Sequence, residues 1–181
     1  AEDRAGVLHQ MAAWPSQPLG RPILGEPETL AAIAPEAIAA FRARTYHAGS
    51  MLVAAAGAFD RTALMEAITG RFGALPTSTR AQPEPAADTA PQVLAETRKS
   101  EQVHLMLSLP APAAADPLAL PARMLGEILG GGMASRLFQD LREERGLVYS
   151  VEAFADLYRD TGRLTVAAGC AARDGTPVAE R

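Results

Sequence analysis

LGGGMASRLFQDLREERGLVY, residues 129 to 149, holds a glycine run, an amphipathic helix and the entry to a strand within twenty-one residues. Glycine inside a helix or strand is unfavourable by about 0.5 to 1 kcal/mol relative to alanine, so Gly130, Gly131 and Gly132 mark a bend or a closely approached backbone. Met133, Leu137 and Leu141 then recur every fourth position with Ala134 and Phe138 beside them, one apolar stripe of a helix that stops at Gly146. Arg142 and Arg145 fall in its last turn, where the helix dipole favours cations, and end-of-helix electrostatics accounts for Arg145. Beyond Gly146 the spacing becomes that of a strand, with Leu147, Tyr149 and Val151 on one side and Val148, Ser150 and Glu152 on the other.

This stretch, continued to Ser150, resembles the second-domain signature of the pitrilysin and mitochondrial-processing-peptidase family of zinc peptidases, in a bacterial type of member. Further pieces in that family's order are QPLGRPILG at 17 to 25, MLVAAAGAFD at 51 to 60, EQVHLMLSLP at 101 to 110 and YRDTGRLTVAAG at 158 to 169. The resemblance covers nearly the whole chain. It implies a zinc-dependent metalloendopeptidase that hydrolyses peptide bonds in unfolded or extended peptides, of which this chain is an internal part. It also implies an arginine and a tyrosine, seven residues apart, that reach the substrate, and Arg142 and Tyr149 match that pair. Gly131 and Gly132 are the companion candidates for substrate binding. The family's zinc ligands form an inverted H-x-x-E-H motif in its first domain with a downstream glutamate, and none of that motif is present here, so the resemblance implies zinc in the parent protein with its ligands outside this segment. The implied partners are a peptide or protein substrate and a second family subunit, in a homodimer or heterodimer.

Composition bounds the rest. With 181 residues and 48 per cent apolar content, the chain has enough material for one domain with a core or parts of two. A net charge of −4 with no Lys or Arg cluster among aromatics excludes a nucleic-acid groove. The longest apolar run, at Met51 to Ala56, is far below the roughly twenty residues of a membrane span. The composition is that of a soluble protein, with cytoplasm and periplasm equally open. Cys170 is alone, which excludes an internal disulfide and cysteine zinc sites and points to a core position. Both ends look cut, since no initiator Met precedes Ala1 and Arg181 closes what reads as a helix start.

Along the chain, Val7, Leu8, Met11 and Ala12 give a first helix ending before Pro15, with His9 as an ordinary helix residue. None of His9, His47 and His104 has the close second histidine and glutamate of a catalytic zinc site, so no metal ligand is assigned. Short helices follow at Glu28 to Ile33 and from Pro35, the latter burying Ile38 and Phe41. Met51 to Gly57 reads as a covered strand, then Asp60 caps a helix whose Leu64, Ile68 and Phe72 face inward. Residues 77–92, rich in Pro, Ser and Thr without apolar period, read as a linker. Val103, Leu105, Leu107 and Leu109 alternate as a half-buried strand, with His104 on its other face. Met124, Leu125, Ile128 and Leu129 share a helix face that starts or kinks near Leu120, and Asp160, Thr161 and Gly162 turn a hairpin.

The expected architecture is α+β, antiparallel sheets with helices layered on one face, in two related domains that are both truncated: 1–76 as the end of the first, 77–92 as linker and 93–181 as the start of the second. Two other functions compete with the peptidase. A non-catalytic binding or assembly subunit would keep the fold without zinc ligands. A phosphate-binding module would use Gly130 to Gly132 before a helix, but Met133 and Ala134 stand where a P-loop needs Lys and Ser or Thr. Position alone also leaves Tyr149 open between a site residue and a core tyrosine. The substrate, its cleavage rule and the compartment are not written in these residues.

Overall fold

The computed structural model describes residues 2–77 and 91–181, so the greater part of the expected linker lies outside the described residues. The described residues up to Leu24 and from Pro91 onward make one compact unit, and Gly25 to Thr77 make a second.

The first unit is built on a three-stranded antiparallel sheet, β1 (Gln102–Ala111), β2 (Val148–Leu157) and β3 (Gly162–Ala171), in the order β1-β3-β2. The Asp160 to Gly162 turn closes the β2–β3 hairpin, with Val151 opposite Ala168 and Phe154 opposite Thr165. Val103, Cys170 and Val148 stand in one cross-strand row and Leu105, Ala168 and Val151 in the next, so one face of all three strands is apolar. That face forms a core with Leu141 and Val178, and Cys170 is fully buried in it as its position suggested. Helix α6 (Gly175–Ala179) supplies Val178. Beyond the core, Leu107 and Leu109 on the same side of β1 are exposed. The opposite face carries His104, Ser108, Ser150, Glu152 and Arg163, with helix α1 (Glu2–Ala13) supplying His9 near Arg163. Mixed helix and antiparallel sheet is the expected α+β class.

Helix α5 (Ala119–Gly130) packs on β2 with a different face from the one its leucines suggest. Met124, Leu125 and Ile128 are exposed, while Gly126 and Gly130 are buried. A Cβ on Gly130 would stand 2.2 Å from the backbone nitrogen of Ala153, and one on Gly126 3.2 Å from the Cα of Phe154. The helix therefore lies against the β2 backbone itself, an approach that only residues without side chains permit. Pro121 sits in its first turn, where a missing N–H leaves no bond unmade, so the helix starts there rather than kinking.

The second unit holds α2 (Pro27–Ala31), α3 (Pro35–Thr45) and α4 (Arg61–Phe72). Asp60 Oδ1 accepts the Ala63 N–H at 2.8 Å, the cap its position predicts, and Pro35 opens α3 at the first helical position. Two expectations fail. Residues 51–56 form no strand, and Leu52 is 93% exposed, because no described strand lies beside them to complete a ladder of hydrogen bonds. Ile38 and Phe41 are likewise exposed rather than buried, and the inward face expected on α4 is met in part, with Leu64 and Ile68 half-buried and Phe72 exposed.

Candidate functional site

Arg142 is carried by a π-helix, Phe138–Glu144, rather than by a regular α-helix. The Arg145 N–H donates to the Asp140 carbonyl at 3.2 Å, an i→i−5 bond, and Leu147 N–H reaches back to the Leu141 carbonyl at 2.8 Å. Gly146, at φ +62°, supplies the left-handed turn that lets the chain reverse into β2, as its place in the sequence suggested. The apolar stripe is shorter than expected: Leu141 is buried and Leu137 and Phe138 pack against the core, but Met133 is 76% exposed.

The two arginines of the last turn separate cleanly. Arg145 Nε donates to Asp140 Oδ1 at 2.7 Å, five residues back, the spacing a π-turn brings together. Arg142 forms no ion pair among the described residues, and its guanidinium lies 4.9 Å above the Phe138 ring. Its N–H donors are left for another acceptor, whereas those of Arg145 serve the helix end.

Tyr149 sits in a β-bulge. Val148 pairs with Cys170 and Ser150 with Gly169, so Tyr149 is the extra residue between two consecutive partners on β3. The bulge shifts the strand's phase: Val148, Val151 and Ala153 point into the core, and Tyr149 is 57% exposed. The expected face of Leu147, Tyr149 and Val151 is corrected accordingly, and the core-tyrosine reading goes with it. Arg142 and Tyr149 thus flank one chain reversal, both exposed.

The glycine run divides by role. Gly130 permits the contact with β2 described above, and Gly131 is the C-cap of α5, where a Cβ would meet the Glu127 side chain. Gly132 is exposed, has nothing within 4 Å of a Cβ position and does not have a positive φ. Its lack of a side chain is unexplained by the fold.

The residues present do not fit a catalytic metal: among the described residues no group of three or more His, Cys, Asp or Glu side chains is placed to hold one. His9 is instead part of a buried cluster that sequence reasoning missed. Arg163 donates from Nε and Nη2 to Asp156 Oδ2 at 3.1 and 3.0 Å, and stacks 4.8 Å over Trp14, which meets Tyr158 edge-on at 5.3 Å. Burial, then the Arg163 charge, lowers the His9 pKa to about 4, against a smaller opposing pull from Asp156. The signal in the sequence is Arg163 near the start of a mostly apolar strand. His104 lies half-buried on the polar face of β1, as expected.

The described residues thus form helices on an antiparallel sheet, with Arg142 and Tyr149 exposed at one reversal and no metal-holding group among them. The chain belongs to the family of the peptidase M16 inactive domain, whose sequence model matches residues 32–180. A Streptomyces coelicolor protein named as an uncharacterized zinc protease is 35% identical over 180 residues, covering 93% of this chain and 39% of that protein. A Mycobacterium leprae protein of the same description is 33% identical over 174 residues, covering 93% and 39%. The chain therefore spans about two fifths of the length of these relatives. Among solved structures, the peptidase M16 inactive domain from Pseudomonas fluorescens superposes with a TM-score of 0.81 at 23% identity, over 97% of this chain and 44% of that one. A chain of complex III2 from Candida albicans gives 0.75 at 19% identity, over 93% and 42%. Among the described residues no helix is long and apolar enough to cross a membrane.

Proposed function

We propose that this chain is part of a zinc-dependent metalloendopeptidase acting on unfolded or extended peptides, and that it supplies Arg142 and Tyr149 to the substrate site while zinc is held by residues outside the segment. The observation that carries this reading is the contrast within one helix end: Arg145 is held by Asp140, while Arg142 keeps its donors free on the same chain reversal as an exposed, bulged Tyr149. A phenol and a guanidinium are donors suited to a peptide carbonyl oxygen, and they assist most if they meet the negative charge that develops there in the transition state. Gly132, with no structural reason to lack a side chain, supports a close backbone approach by substrate. On this reading the active assembly is a homodimer or heterodimer with a family subunit.

Peptide cleavage by the full-length protein, with and without a chelator, tests the reading. Loss of cleavage on chelation and recovery with added zinc is the expected result; cleavage indifferent to chelator contradicts it. A second reading, a non-catalytic binding or assembly subunit, is favoured by the family description of the matched domain as inactive. It predicts no cleavage by the full-length protein at any zinc concentration.

A further inference from the structure

We propose that Phe138 is a positioning residue for Arg142, its ring serving as the platform that holds the guanidinium ready for a substrate carbonyl. The proposal rests on the role of Arg142 given above. The guanidinium carbon lies 4.9 Å from the Phe138 ring centroid, within the range in which a cation is drawn to an aromatic face. The carboxylate of Asp140, in the same helix, is held by Arg145 at 2.7 Å. Phe138 in turn packs against the buried core that includes Leu141 and Val148. The ring is therefore tied to the rigid part of the domain, whereas a free arginine on an exposed helix end would lose rotamer freedom on each encounter with substrate. Stacking on a ring fixes the guanidinium plane without using its N–H donors. A carboxylate partner would also fix it, but would consume the donors and neutralise the charge. The π-turn contributes to the same end, because its five-residue spacing brings Asp140 to Arg145 and leaves Arg142 to the ring.

The test uses cleavage by the full-length protein of Phe138→Leu, Phe138→Tyr, Arg142→Ala and the Phe138→Leu/Arg142→Ala double variant, with melting temperature measured on each. Phe138→Leu is expected to lower kcat/KM by about 3- to 30-fold, the range of a cation on an aromatic face, with Phe138→Tyr keeping most of the activity. In the Arg142→Ala background the same Phe138→Leu change is expected to alter kcat/KM by less than about twofold, since the residue it serves is gone. An equal loss in both backgrounds means the ring acts by packing alone and overturns the proposal. If Arg142→Ala lowers cleavage but Phe138→Leu does not, the proposal fails and the reading of Arg142 stands; if Arg142→Ala is itself silent, both fail. Should Phe138→Leu not fold, pentafluorophenylalanine at position 138 reverses the ring quadrupole while keeping its shape. Reduced cleavage with that residue supports the proposal, and unchanged cleavage overturns it.

Discussion

Tyr149 is exposed because of one extra residue in β2, and nothing in the sequence announces it. Leu147, Val148, Tyr149 and Val151 are all compatible with a pleated, half-buried surface, so either phase of the strand looks acceptable until the pairing with β3 is known. The division between Arg142 and Arg145 was half legible. Both fall in the last turn of a helix, but Arg145 reaches the Asp140 carboxylate because the turn closes at five residues, whereas at four its neighbour would be Leu141. This residue-scale contrast makes a prediction. Arg145→Ala removes an exposed ion pair, worth about 0 to 1 kcal/mol of stability, and should leave peptide cleavage by the full-length protein within about twofold. Arg142→Ala should lower kcat/KM by at least about tenfold, through kcat, through substrate binding, or both. Equal effects of the two substitutions, measured side by side, contradict the assignment.

At the scale of elements, the glycine run reads as a bend or a close approach, which holds at Gly130 but not at the exposed Gly132, and the helix before it packs with a face other than the expected one. Hydrophobic periodicity finds the stripe of large residues on α5, whereas the contact with β2 is made by Gly126 and Gly130, which periodicity does not weigh. Gly130→Ala is therefore expected to destabilise the domain by about 1 to 3 kcal/mol despite the better helix propensity of alanine, because the β2 backbone must move to admit the new methyl. Gly126→Ala, with its nearest atom at 3.2 Å, should cost clearly less. Denaturation midpoints of the two variants decide it, and a Gly130→Ala protein as stable as the parent contradicts the packing described. The run at 51–57 taught the opposite lesson. Its composition suits a strand, but a strand needs a neighbour to take its backbone bonds, and no described strand is there to do so.

For the molecule as a whole, the buried His9 sets a pH dependence. Its pKa is about 4 in the folded chain against an ordinary value near 6.5, so below that value the unfolded chain takes up a proton that the folded chain resists. The contribution is fully present above about pH 6.5 and is lost as pH falls towards 4. His9→Gln should flatten the stability profile between those limits, and an unchanged slope in urea denaturation across that window contradicts the burial of a neutral imidazole. The α+β class, the hairpin, the Asp60 cap and the core position of Cys170 were legible because each follows from short-range pattern. The buried Arg163, Trp14 and His9 cluster was not, since it joins residues that only tertiary folding brings together. The central claim concerns Tyr149, and the most direct measurement of it pairs turnover with melting temperature in Tyr149→Phe of the full-length protein. On the proposed role, kcat falls by about 10²- to 10³-fold while the melting temperature stays within about 1 °C, because the phenol stands exposed and would meet developing charge only in the transition state. Turnover within about twofold of the parent would contradict it.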